Sequence, residues 1–249
     1  MNATVASLTA RTVLGRRRTL LLLLLPMVLL ALCIFARILA AYDQDVAADL
    51  SQGLSAQLLG AFGLGVLLPL LGLIAGTGVI GPEIDDGSIV YLLAKPLKRP
   101  VIVVTKLAVA IGVTTVFGAL PVFIAGMVLT SEIGFALSYA AGALAAGIAY
   151  CALFLLLAVV TRNAVVIGLF YALIWESLVG GFVPGAQTLS VQQWGLALTE
   201  RFLGSRAEGL GIDSATNLNV ALPLLIIVVV GGTWYAGQRL RSLRLSEES

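Results

Sequence analysis

Histidine is absent from these 249 residues. Its absence removes imidazole acid–base chemistry, His-ligated metal sites and Ser-His or Cys-His nucleophile pairs. Cysteine is scarce: Cys33 and Cys151 each fall inside an apolar run and neither belongs to a CxxC, so both read as packing residues. Charge is scarce too, at 11% of residues, where soluble domains carry about 25%. No GxxxxGK[ST] loop occurs, so the chain lacks the usual means of hydrolysing a nucleotide. The net charge is only +2 and no basic patch is interleaved with aromatics, which excludes a nucleic-acid partner. No acidic pair sits within an apolar run, as an intramembrane aspartyl protease requires, and no serine has an evident partner base. Catalytic residues, bound cofactors and metal ligands are therefore not assigned to this chain.

Hydrophobic residues make up 59% of the sequence. They fall into six runs long enough to cross a bilayer, which needs about 20 residues as a helix. The expected fold is an all-α integral membrane protein in one transmembrane domain, with spans at about 20–41, 57–80, 101–130, 136–160, 164–182 and 219–237. A basic lead, 1–19, carries Arg11, Arg16, Arg17 and Arg18. Arg17-Arg18 followed by leucines resembles a twin-arginine signal, but the apolar run exceeds the roughly 7–15 residues of a signal core. Gly72 and Gly76 form a GxxxG pair, read as packing within the subunit, and Pro121 predicts a kink in the third span. Ala140, Gly142, Ala143, Ala146 and Gly147 make a small-residue face on the fourth. Segment 183–218 is polar overall, yet Val191, Trp194, Leu198 and Phe202 follow helical spacing. That pattern predicts an external amphipathic helix lying on the membrane face or dipping into it.

The stretch 81–100 is the longest polar interruption in the first two thirds of the chain. It opens acidic with Glu83, Asp85 and Asp86 and closes basic with Lys95, Lys98 and Arg99. Between them Ile89, Leu92 and Leu93 share one helical face, and Pro96 ends the helix. Of the fifteen Lys and Arg, all but Arg37, Arg201 and Arg206 fall on the side of this loop and the two termini. The positive-inside rule then puts the loop, the lead and the 238–249 tail in the cytoplasm, and six spans make that self-consistent. The helix in the loop either rests on lipid headgroups or docks a soluble partner.

The order Glu83-x-Asp85-x-Gly87-Ser88-Ile89, then Leu92-Leu93, Pro96-Leu97-Lys98-Arg99 and Lys106, resembles the loop after the second span of ABC-2-type transporter permeases. The close match covers about a tenth of the chain, and the rest agrees in topology. The resemblance implies that 81–100 carries a coupling helix for a separate ABC ATPase, with two ATPase copies and a second permease, identical or related. ATP and Mg would be bound by the ATPase. It implies an exporter subunit in the cytoplasmic membrane of a prokaryote, and a helical segment between spans five and six. Two readings from other classes need no ATPase-driven transport. One is a secondary transporter or channel, which the absence of an internal repeat weighs against. The other is a membrane anchor that recruits a soluble complex.

One acid interrupts the fifth span. Glu176 lies six residues from its expected outer end, about 9 Å at 1.5 Å per residue. With Trp175 beside it, that distance favours a carboxyl reaching the outer headgroups. The alternative is a functional intramembrane charge, for which Arg37, at a similar expected depth, is the natural partner.

Overall fold

The computed structural model describes residues 9, 15–86, 99–179 and 185–242, and among these the regular structure is entirely helical. With no water to satisfy backbone groups, apolar runs of this length become helices, whose hydrogen bonds are internal. We number the main helices α1 (Arg16–Tyr42), α2 (Gln44–Asp49), α3 (Ser55–Ile84), α4 (Pro100–Thr130), α5 (Ile133–Val160), α6 (Ala164–Glu176), α7 (Val191–Leu203), α8 (Arg206–Gly209) and α9 (Leu218–Leu240). Of these, α1 from Leu22, α3, α4, α5 and α9 are long and apolar enough to cross a membrane.

Local chemistry sets the joints. α1 stops at Asp43, which turns extended and accepts the Asp45 N–H, capping α2. The chain reverses between α2 and α3 at Gly53, whose φ of 139° only glycine adopts easily, and a Cβ there would lie 2.8 Å from the Leu210 carbonyl oxygen. The expected distortion near Pro121 appears as a π-helical turn, Thr115–Ala119, just before the proline that lacks an N–H and crowds the preceding turn.

α3 and α5 form the centre. Their backbones approach where the GxxxG pair faces α5: a Cβ on Gly72 would sit 2.5 Å from that of Tyr150, and one on Gly76 3.0 Å from the Cys151 carbonyl. The motif thus serves packing within the subunit. α1, α6 and α9 lie outside and present apolar side chains outward, among them Met27, Phe170 and Ile227. A bilayer would cover these faces.

Contacts also fix helix directions. Arg37, near the end of α1, borders one hollow with Val128, near the end of α4. At the opposite end of α4, Pro100 lies beside Gly237 near the end of α9. Hence the starts of α1 and α4 and the end of α9 share one side of the bundle, and the contact of Lys106, near the start of α4, with Val79 and Glu83 adds the end of α3.

Of the fifth expected span, helix is described from Ala164 to Val179, about 24 Å at 1.5 Å per residue. Of the two placements expected for the 191–203 helix, lying on the membrane face or dipping into it, the structure has the second, with Val191, Trp194, Gly195, Ala197 and Thr199 buried. A Cβ on Gly142 of α5 would fall 2.5 Å from the Gly195 carbonyl of α7, and the Gln192 side-chain amide donates to the Gly60 carbonyl. Farther along, Arg206 pairs with Glu132 at the start of α5. α7 therefore runs antiparallel to α5 through one half of the bundle, and α6 occupies the other half.

Candidate functional site

At the end of α3 the helix breaks at Val79–Ile80 and resumes for one turn, Gly81–Asp85, with Pro82 in the first turn where its missing N–H costs nothing. The break leaves the Val79 carbonyl without a helical partner. Lys106, in the second turn of α4, fills that position. Its ammonium is fully buried and donates to the Val79 carbonyl and, at 2.7 Å, to the Glu83 carboxylate. A cation suits the negative end of a helix dipole, and a buried ammonium is tolerated only when paired and hydrogen-bonded. The junction ties the end of α3, the first residues of the 81–100 loop and the head of α4 into one unit.

Glu83 and Lys106 are thus brought together, 23 positions apart. Glu83, the first of the three acids that open the loop, turns to Lys106. Asp86 is exposed, Asp85 closes the single helical turn, and Arg99 directly precedes Pro100. Gly87, Ser88, Ile89, Leu92, Leu93 and Pro96, with the expected helix they belong to, lie outside the described residues. The Val79 carbonyl is the member of this junction that sequence reasoning missed. The signal for it was a lysine two turns into an apolar span, which needs acceptors from somewhere.

Glu176 sits elsewhere. It is 1% exposed and accepts hydrogen bonds from the Tyr150 hydroxyl at 2.8 Å, the Tyr171 hydroxyl at 3.3 Å, the Ser190 hydroxyl and the Val191 backbone N–H at 2.9 Å. Tyr150 lies ten residues before the end of α5, about 15 Å at 1.5 Å per residue. This places Glu176 near mid-bundle, correcting the expectation of outer headgroups. Arg37 is also not its partner, since it lies beside Val128 and Leu129 at the far ends of α1 and α4. The depth was misjudged because it was counted from an expected end of the span, while the partners that hold Glu176 come from α5 and α7.

The arrangement follows from helix termini. Ser190 is the N-cap of α7, and Val191 supplies a first-turn N–H that no helical carbonyl can satisfy. An acid at this positive end is favourable. The Glu176 carboxyl thereby joins the end of α6, the side of α5 and the start of α7. Tyr150 and Tyr171, polar aromatics inside otherwise apolar runs, were the available signal for its partners.

The two cysteines are buried and free, with the Cys151 sulfur 3.0 Å from the Thr114 hydroxyl. Among the described residues, no cluster of three or more Cys, Asp or Glu is placed to hold a metal ion.

A family model described as "ABC-2 family transporter protein" matches residues 4–233. No curated protein and no solved structure matches the chain.

Proposed function

The chain belongs to the ABC-2 family of transporter proteins, and from that premise we propose that it is the membrane-spanning permease subunit of an ATP-driven exporter. ATP and Mg are bound and ATP is hydrolysed on a separate ABC ATPase, present in two copies beneath two permeases, identical or related. The complex lies in the cytoplasmic membrane of a prokaryote. α6 and α7 together supply the sixth crossing, which puts the N-terminal lead, the 81–100 loop and the C-terminal tail on the cytoplasmic side.

The observation that carries this reading is the Val79–Lys106–Glu83 junction. A loop that receives a push from a partner must be stiffly joined to the spans it moves. Here the buried ammonium joins loop and spans at the root, so displacement of the 81–100 segment is passed to α3 and α4 together. Asp85 and Asp86 face basic residues of the ATPase, and Gly87, Ser88, Ile89, Leu92, Leu93 and Pro96 form the coupling helix and its stop. Lys98 and Arg99 hold the loop to lipid phosphates.

The test is co-purification. The full chain, tagged at its C-terminus, is extracted from its native membrane and the eluate assayed for ATPase activity. Asp86→Arg is run beside it, since Asp86 is exposed and outside the ion pair. ATPase activity that accompanies the wild type and falls at least about tenfold with the variant, a loss of some 1.4 kcal/mol in association, supports the reading. An eluate without ATPase, from membranes in which the chain is intact and monodisperse, would sink it.

A further inference from the structure

We propose that the end of α1 carries a binding site for the headgroup of an anionic phospholipid, with Arg37 as its centre. The inference needs only that the chain spans a membrane, and is independent of the ATPase.

Arg37 lies five residues before the end of α1 at Tyr42, about 7.5 Å at 1.5 Å per residue. Arg37 is exposed, and a guanidinium that close to a helix end reaches the membrane interface, where lipid phosphates lie. Among the described residues it has no ion-pair partner, because the two salt bridges join Lys106 to Glu83 and Arg206 to Glu132. An anion that pairs with it comes from outside the described residues.

Two hollows meet at this arginine. One, of about 450 Å³, is bordered by Ile34, Ile38, Ala41 and Val128 and is open along the apolar outer face of α1. The other, about 210 Å³, is bordered by Leu50, Ser51, Ser55, Thr130 and Glu132. Ser55 is fully buried, and its hydroxyl has no hydrogen-bond partner. Leaving a buried hydroxyl unsatisfied costs about 1–3 kcal/mol, so it marks a place for an acceptor. Ser51 and Thr130 already donate to backbone carbonyls, of Ala48 and Gly126. Glu132 would repel an anion, but it is held by Arg206 at 3.0 Å. The exposed acids of α2, Asp45 and Asp49, border neither hollow.

The pairing of one polar and one apolar hollow around a single arginine selects an amphiphile over a free ion. A phosphodiester oxygen accepts from the Arg37 fork, for which guanidinium geometry is suited. A second oxygen accepts from Ser55, and an acyl chain lies along Ile34, Ile38 and Val128.

The experiment is native mass spectrometry of the full chain in detergent, titrated with phosphatidylglycerol, phosphatidylcholine or inorganic phosphate. Phosphatidylglycerol should bind the wild type, about tenfold more weakly to Arg37→Gln and several-fold more weakly to Ser55→Ala, in keeping with loss of a charge-assisted and of a single neutral hydrogen bond. Arg162→Gln, which removes an exposed charge at the other end of the bundle, should bind like the wild type. Arg37→Lys keeps the charge without the fork and should fall between, so it serves as the readout if Arg37→Gln aggregates. Equal phosphatidylglycerol binding by wild type and Arg37 variants overturns the site. Equal binding of phosphatidylcholine overturns the anionic preference. Displacement of the lipid by millimolar phosphate overturns the amphiphile in favour of a free anion.

Discussion

Glu176 and Lys106 show two ways in which a single ionisable residue is accommodated in an apolar bundle. Lys106 meets an opposite charge and a helix-end carbonyl, so its site is electrostatically closed. Among the described residues Glu176 meets no cation; its carboxyl accepts from three hydroxyls and one backbone N–H. Hydroxyls can rotate, but the Val191 N–H cannot. In Glu176→Gln the amide oxygen can keep the Tyr150, Tyr171 and Val191 donors, but the amide NH2 takes the place that accepts from Ser190, whose hydroxyl then loses its acceptor. Unfolding stability should fall by about 2 kcal/mol, the cost of a poorly satisfied buried polar group, or about 4–8 °C in thermal midpoint for a chain of this length. Tyr150→Phe should cost less alone. Combined with Glu176→Gln, it should give less than the sum of the two losses, because the pair shares one hydrogen bond. Thermal unfolding of the three variants in detergent measures both quantities. Strict additivity would mean that the Tyr150–Glu176 contact does not contribute.

At the scale of elements, α7 is where close packing decides the outcome. Its backbone meets α5 at Gly195 and Gly142, and Thr199 also crowds Gly142. A side chain at position 142 has nowhere to go without moving α7. Gly142→Val should therefore destabilise the protein by about 1–3 kcal/mol, the usual cost of overpacking, and should release the Glu176 contacts at the deep end of α7. Gly112, with nothing within 4 Å of an added Cβ, supplies the contrast: Gly112→Ala should be neutral or stabilising by up to about 1 kcal/mol. The thermal midpoint should fall for Gly142→Val and hold or rise for Gly112→Ala. The same element marks the limit of sequence reading. The long helices were legible because lipid demands continuous apolar runs, and Gly72, Gly76 and Pro121 performed the packing and distortion expected of them. The helical spacing of Val191, Trp194 and Leu198 also located α7. Which of its two expected placements it takes was not legible, because Gln192, Glu200 and Arg201 give the segment a surface composition. Contacts distant in sequence bring it inside, Gly142–Gly195 across 53 positions and Gln192–Gly60 across 132. Glu83 and Lys106 were singled out individually, while their contact depends on the helix break at Val79–Ile80.

For the whole molecule, the decisive quantity is which side the 81–100 loop faces. An ATPase fuelled by cytoplasmic ATP can reach it on one side only. Two independent features bear on this. Lys and Arg concentrate at the loop, the termini and Arg162, which the positive-inside rule assigns to the cytoplasm. Pro100 beside Gly237, and Arg37 beside Val128, put the head of α4, the start of α1 and the end of α9 on a common side. If α6 and α7 jointly complete a crossing, Asp86 and Ser205, both exposed, face opposite sides of the membrane. Asp86→Cys and Ser205→Cys should then react differently with a membrane-impermeant maleimide on intact cells. Background from the native thiols is low because Cys33 and Cys151 are fully buried. Ser205→Cys should label at once and Asp86→Cys only after permeabilisation. The reverse pattern would turn the molecule over and leave the loop out of reach of ATP. Labelling of both from outside would break the division of the crossing between α6 and α7. The permease reading requires the first pattern, because only then does the Glu83–Lys106 junction lie where a cytoplasmic ATPase can act on it.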